Sequence, residues 1–134
     1  MRSASLVSIA LAAAVALCVA LPLSAQSASH VITVKMADAP NGQFVFQPAA
    51  ISAQRGDTVR FVQASSAPHD VDFKKMPKGA KLGAESTGPY VMTPGQTYDL
   101  VIDSRFVDGV YEFVCDPHES VGMHGTLTVG APTK

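Results

Sequence analysis

The chain has 134 residues, enough for one domain with a modest core of its own. Ten basic against 11 acidic residues leave a net charge of -1, which excludes the strongly basic balance of bulk nucleic-acid binders. No internal repeat, low-complexity segment or interdomain linker is visible.

In chain order, Arg2 comes first, then an apolar run from Leu6 to Leu21, then small residues at Ser24-Ala25-Gln26-Ser27-Ala28. That order reads as a secretory signal peptide over residues 1–25, cut after Ala25, with Ser27 as the second choice. An uncleaved anchor is one alternative, because the run is near the lower length of a membrane span. Lipidation at Cys18 is another, although Leu17 is larger than the small residue usual before such a cysteine. Cleavage implies a periplasmic or secreted protein with no stable membrane insertion, and a monomer is expected. It also leaves Cys115 as the only thiol, so the domain has no internal disulfide. A free thiol in an oxidising compartment is a liability unless a metal occupies it; a buried, inert cysteine is the plainer alternative.

From residue 30 to 130, period-2 alternation dominates and helical periodicity is hard to find. Strands are predicted at His30–Met36, at Phe44–Phe46 and from Ile51. After the Arg55-Gly56-Asp57 turn, Thr58–Gln63 is a strand with Val59 and Phe61 on one face. His69–Phe73 reads as short and extended. Residues 74–92 hold Pro77, Gly79, Gly83, Gly88 and Pro89, and read as a loop with one helical turn. Beyond Pro94-Gly95, Thr97–Asp103 alternates. Beyond Asp108-Gly109, Val110–Cys115 puts Tyr111, Phe113 and Cys115 on one face, and Gly125–Gly130 closes the domain. Seven or eight short strands with regular turn signals predict an all-β sandwich.

The chemistry is concentrated in Cys115-Asp116-Pro117-His118-Glu119-Ser120-Val121-Gly122-Met123. The spacing is Cys-x2-His-x4-Met. Thiolate and thioether are soft donors and imidazole suits copper; two histidines and a cysteine with a weak axial methionine describe a blue-copper site. The expected cofactor is one copper ion cycling between Cu(I) and Cu(II), held by His69, Cys115, His118 and Met123. His69, in Ala67-Pro68-His69-Asp70-Val71, is the candidate for the second histidine. Pro117 stiffens the loop and Gly122 permits its close turn. Asp70 is expected to hydrogen-bond across to the Cys115 loop. His124 is a competing ligand that would favour zinc or another copper geometry, but is expected to point away at the start of the last strand. His30 reads as a surface residue, and Met36, Met76 and Met92 as core or loop fillers.

These residues resemble the cupredoxins, and most of all the plastocyanin group, with pseudoazurin and amicyanin as relatives. The resemblance runs from Val31 to Val129 through Gly56-Asp57-Thr58-Val59, Pro68-His69-Asp70-Val71, Pro94-Gly95-Gln96-Thr97-Tyr98 and the block from Tyr111 to Gly125. It implies a cupredoxin-like Greek-key sandwich and single-electron transfer between exported redox proteins. No enzymatic activity is expected, because Cys115 and His118 share one loop with no separate orienting residue and the domain is small. A copper-delivery module is the alternative. It also implies that His118 is partly exposed and serves as the electron exit. The residue after the first histidine is commonly Asn in the family; here it is Asp70. Where photosynthetic members often carry acidic patches, this chain has Lys74, Lys75, Lys78 and Lys81. These lysines suit docking to an acidic partner surface, or else are a solvated loop.

Overall fold

A computed structural model describes residues 29–130. The expected signal segment, with Cys18, lies outside the described residues. Eight strands form two four-stranded sheets. The first sheet has the order β2-β1-β4-β6, built from β1 (Val31–Asp38), β2 (Phe44–Gln47), β4 (Thr58–Gln63) and β6 (Thr97–Val101). The second has the order β3-β8-β7-β5, built from β3 (Ala50–Ala53), β5 (Asp72–Lys75), β7 (Gly109–Val114) and β8 (His124–Val129). β1 runs parallel to β4, and β3 parallel to β8; the other pairings are antiparallel.

Alternation places the core. Val34 and Met36 of β1, Val59 and Phe61 of β4, Leu100 of β6, Tyr111 and Phe113 of β7, and Leu127 and Val129 of β8 are all buried between the sheets. Phe113 is the hub, with ring centroids 4.9 Å from Phe46 and 5.6 Å from both Phe61 and Phe73. Each such buried aromatic or aliphatic side chain contributes about 1.5–3 kcal/mol relative to exposure. At the far end of β7, the Tyr111 hydroxyl donates to Val107 O and accepts from Val107 N–H, both at 2.9 Å. These two bonds tie the loop after β6 to the core.

The expected strands appear with shifted ends, and the fifth moves most. Residues 69–71 are not in a ladder; His69 makes only an isolated bridge to Val91, and pairing with β7 begins at Asp72. The side chains of His69 and Asp70 are turned toward the Cys115 loop, which takes this stretch out of regular pairing. The loop of residues 74–92 contains one 3-10 turn, Gly83–Ser86, anchored by buried Leu82. Met36 is a core residue, whereas Met76 and Met92 are exposed. Among the described residues no helix is long and apolar enough to cross a membrane.

Gly125 faces Phe113 across the β7–β8 pair, and a Cβ there would sit 2.3 Å from the Phe113 ring. Gly125→Ala is therefore expected to lower stability by about 1–3 kcal/mol, as overpacking does. Urea unfolding of the metal-free protein should show a lower midpoint at an unchanged slope.

Candidate metal centre

Three segments converge at one end of the sandwich. β7 delivers Cys115 on the same inward face as Tyr111 and Phe113, so its sulfur is fully buried. The chain then turns through a 3-10 segment, Asp116–Val121, with Pro117 in its first turn and Gly122 closing it at φ 92°. That left-handed φ favours glycine, which has no Cβ to clash. Met123 N–H donates to His118 O at 3.2 Å, and Met123 O accepts from Cys115 N–H at 3.1 Å. The loop is thus clipped shut between its first and last residues of interest, with the Met123 side chain buried in the same core cluster as Cys115. His69 comes from the other side. Its backbone exchanges hydrogen bonds with Val91 at 2.8 and 3.1 Å.

The donor atoms form a compact triangle. Cys115 Sγ lies 3.4 Å from His69 Nδ1 and 3.3 Å from His118 Nδ1, and the two nitrogens are 3.1 Å apart. A point equidistant from all three is about 1.9 Å from each, near the ~2 Å of first-row metal–imidazole bonds. His69, Cys115 and His118 form the one cluster of this kind among the described residues. His124 is not in it. It is exposed, with Nε2 3.1 Å from Glu119 O. His30 is likewise at the surface, its backbone N–H donating to Asp57.

The surroundings are dry, and the ionisation of the donors follows. Burial pushes the Cys115 thiol up to about 11, and Asp70 acts on it in both directions. Burial, then the positive charge of His118, pushes His69 down to about 4, with Asp38 opposing. At neutral pH His69 is therefore neutral, with a lone pair free on one ring nitrogen. A metal bound through Cys115 would displace the thiol proton and so release acid.

The neighbours hold the donors in place. Asp70 Oδ1 accepts the Asp116 N–H at 2.7 Å, so the cross-loop bond expected of Asp70 exists and is made by a carboxylate. Phe44, at the head of β2, was not apparent as a site residue from the sequence. Its ring lies 4.0 Å from the half-buried His118 imidazole at an interplanar angle of 33°, and edge-on to His69 at 5.4 Å. The lysine cluster divides. Lys74 pairs with Asp72 and, at 2.7 Å, with Asp116, while Lys75 pairs with Glu112 at 2.8 Å. Lys78 and Lys81 are exposed beyond Pro77, which packs beside Gly109 at the start of β7, the end away from Cys115.

A cupredoxin sandwich carrying a soft triangle of two imidazole nitrogens and one sulfur defines a class, the small copper proteins. Comparison narrows it. The family of copper binding proteins, plastocyanin/azurin family, matches residues 32–130. Plastocyanin of Scenedesmus fuscus is 36% identical over 73% of this chain and 98% of its own length. The chloroplastic plastocyanin of Tetradesmus obliquus is 35% identical over 95% of this chain and 84% of its own. Among solved structures, oxidised plastocyanin from Dryopteris crassirhizoma superposes with a TM-score of 0.59 at 28% identity, covering 73% of this chain and 99% of that one. A pseudoazurin from Sinorhizobium meliltoi gives a TM-score of 0.53 at 37% identity, over 78% and 76%. The chain belongs to the plastocyanin/azurin family of copper-binding proteins, and copper is its cofactor.

Asp70 makes the site sensitive to pH. Burial raises its carboxyl above the ordinary range, against the Asp116 N–H bond, which lowers it. Ionised, it stabilises the more positive oxidised state. Asp70→Asn keeps an acceptor oxygen and removes the charge, and should raise the reduction potential by on the order of 50–100 mV at alkaline pH. The difference should close as pH falls through the raised carboxyl value and Asp70 takes up its proton. Voltammetry of both proteins across pH checks this; equal potentials at alkaline pH would show that Asp70 carries no charge there.

Proposed function

We propose that this protein is an exported type 1 copper carrier of single electrons, with His69, Cys115 and His118 as equatorial ligands and Met123 as the axial one. The observation that carries the reading is the triangle of two imidazole nitrogens and one sulfur, 3.1–3.4 Å on a side, in a buried pocket closed by a loop that also carries a thioether. Thiolate and imidazoles in a trigonal set with a weak sulfur donor favour rapid one-electron exchange between Cu(I) and Cu(II). The chain's part is to keep the donors still. Cys115 is fixed by its strand and by the Met123 clip, and the loop behind it by Asp70. His69 is fixed by its bridge to Val91, and His118 by the Phe44 ring.

An electron exit at His118 follows from exposure. His69, Cys115 and Met123 are fully buried, whereas His118 is half-exposed on a loop that also presents Val121. His118 is thus the one proposed ligand that a partner could reach from solvent, on a rim shared by Val121, Asp116 and Glu119. Residues 30–130 are read as the functional domain and residues 1–25 as an export signal, which places the carrier in the periplasm or outside the cell as a monomer. A non-enzymatic role is consistent with the cysteine: buried and protonated at neutral pH, it is no nucleophile. Lys74 and Lys75 are bound to carboxylates of their own chain. Lys78 and Lys81, at the end of β7 away from His118, would serve long-range steering of an acidic redox partner rather than the contact at the exit.

Two experiments check this. Copper-loaded domain should be intensely blue, bleach reversibly on reduction and show a small parallel hyperfine splitting; Cys115→Ser should lose the blue band altogether. Pale protein with ordinary copper EPR would instead favour copper delivery. Replacing Lys78 and Lys81 with Gln should slow electron transfer to an acidic partner at low salt and leave the high-salt rate unchanged. Equal rates at low salt would leave these lysines as solvating groups.

A further inference from the structure

The buried side of His69 faces a polar group of its own. Ser65 Oγ is 2.7 Å from His69 Nε2. Behind Ser65 stands Gln63, whose Oε1 accepts from Ser65 N–H at 3.2 Å and lies 3.4 Å from Ser65 Oγ. The Gln63 amide nitrogen donates to Val91 O at 3.2 Å and also to Ala67 O. Val91 in turn is bonded through its backbone to His69. The side chains form a closed ring, His69–Ser65–Gln63–Val91–His69. Its three side-chain members are 0, 4 and 1% exposed in that order, so water does not substitute for any of these partners.

Proton counting around the ring fixes the Gln63 amide, and the remaining contacts favour one direction at Ser65. Val91 O and Ala67 O can only accept, so the Gln63 NH2 must face them. Ser65 N–H can only donate, so Gln63 Oε1 must face Ser65, and the amide cannot be flipped. Ser65 Oγ then has two acceptors beside it, Gln63 Oε1 and Ala67 O, both at 3.4 Å, and a donor, Ala67 N–H, at 3.3 Å. Its single proton goes to one of those oxygens, leaving a lone pair toward His69. The nitrogen that meets this lone pair carries the imidazole proton. The opposite assignment, Ser65 donating to Nε2, would put the imidazole proton on Nδ1, crowding it beside the Cys115 thiol and His118 Nδ1 at 3.4 and 3.1 Å.

We infer that Ser65 and Gln63 are positioning residues that hold His69 as the Nε2–H tautomer, so that its Nδ1 lone pair faces the copper position before any metal arrives. His118 has no such partner on its remote nitrogen among the hydrogen bonds of the described residues; a ring face, Phe44, steadies it instead. One imidazole is therefore set by hydrogen bonds and the other by stacking. The tautomer is a property of the metal-free protein, while its consequence for copper rests on the reading of His69 as a ligand.

The experiment is two-bond proton–nitrogen NMR of the histidine rings in reduced, metal-free, 15N-labelled protein at neutral pH. The expected result is His69 as the Nε2–H form in the natural protein. Ser65→Ala should mix the two tautomers and weaken copper binding about 10-fold, in line with losses of ligand-orienting partners, and Ser65→Thr, which keeps a hydroxyl, should restore both. Gln63→Met, which removes Oε1, should act in the direction of Ser65→Ala. A natural protein found as the Nδ1–H form overturns the inference without any variant. So does a Ser65→Ala protein whose tautomer is unchanged. The blue band is read separately on the copper-loaded natural protein: blue with the wrong tautomer sinks this inference alone, and the right tautomer without blue sinks the ligand assignment alone.

Discussion

Three electron-rich atoms, two imidazole nitrogens and a sulfur, are brought within 3.1–3.4 Å of one another, with His69 and Cys115 fully buried and His118 alone at the rim. Lone pairs at that spacing repel unless a proton or a cation lies among them. At neutral pH the Cys115 thiol supplies that proton, and the fold supplies the positions. The aromatic core around Phe113 anchors β7, so Cys115 cannot retreat. The second sheet places β5 beside β7, and the chain just before β5 brings His69 and Asp70 to the same end. The loop that carries His118 is too short to wander, since Cys115 and Met123 are bonded to each other through their backbones.

The rigidity is local to each donor and differs in kind. Cys115 is held by strand geometry, His69 by a buried polar ring and a backbone bridge, and His118 by an aromatic face with solvent on one side. This gradient runs from the interior to the surface. A metal that changes oxidation state without large movement of its ligands needs the inner donors fixed; one softer donor at the rim keeps contact with the outside.

Much of this was legible in the sequence. Strand alternation exposes the sandwich because both sheets have one buried face, and Cys115 and His118 are local to one loop, so those two meet without any tertiary information. What escaped is what depends on long-range contact. Phe44 looks like any strand aromatic, and only folding sets it on His118. Gln63 did leave a trace: it continues the inward face of Val59 and Phe61, where a polar residue is out of place and so must be bonded. Ser65 left none, lying among polar loop residues. The four lysines look like one cluster in sequence, but β5 pairs two of them with neighbouring carboxylates and Pro77 sends the other two toward the opposite end.

The upward displacement of the Cys115 thiol to about 11 has a bearing on the protein's life before it is loaded. Oxidants and disulfides attack thiolates, and a buried thiol that keeps its proton offers almost none. Among the described residues Cys115 is the only cysteine, so it has no partner within the domain with which to close a bridge. The same dry wall that sharpens the metal site therefore acts as a preservative. What an arriving ion would meet is a sulfur still unspent, needing only to give up its proton.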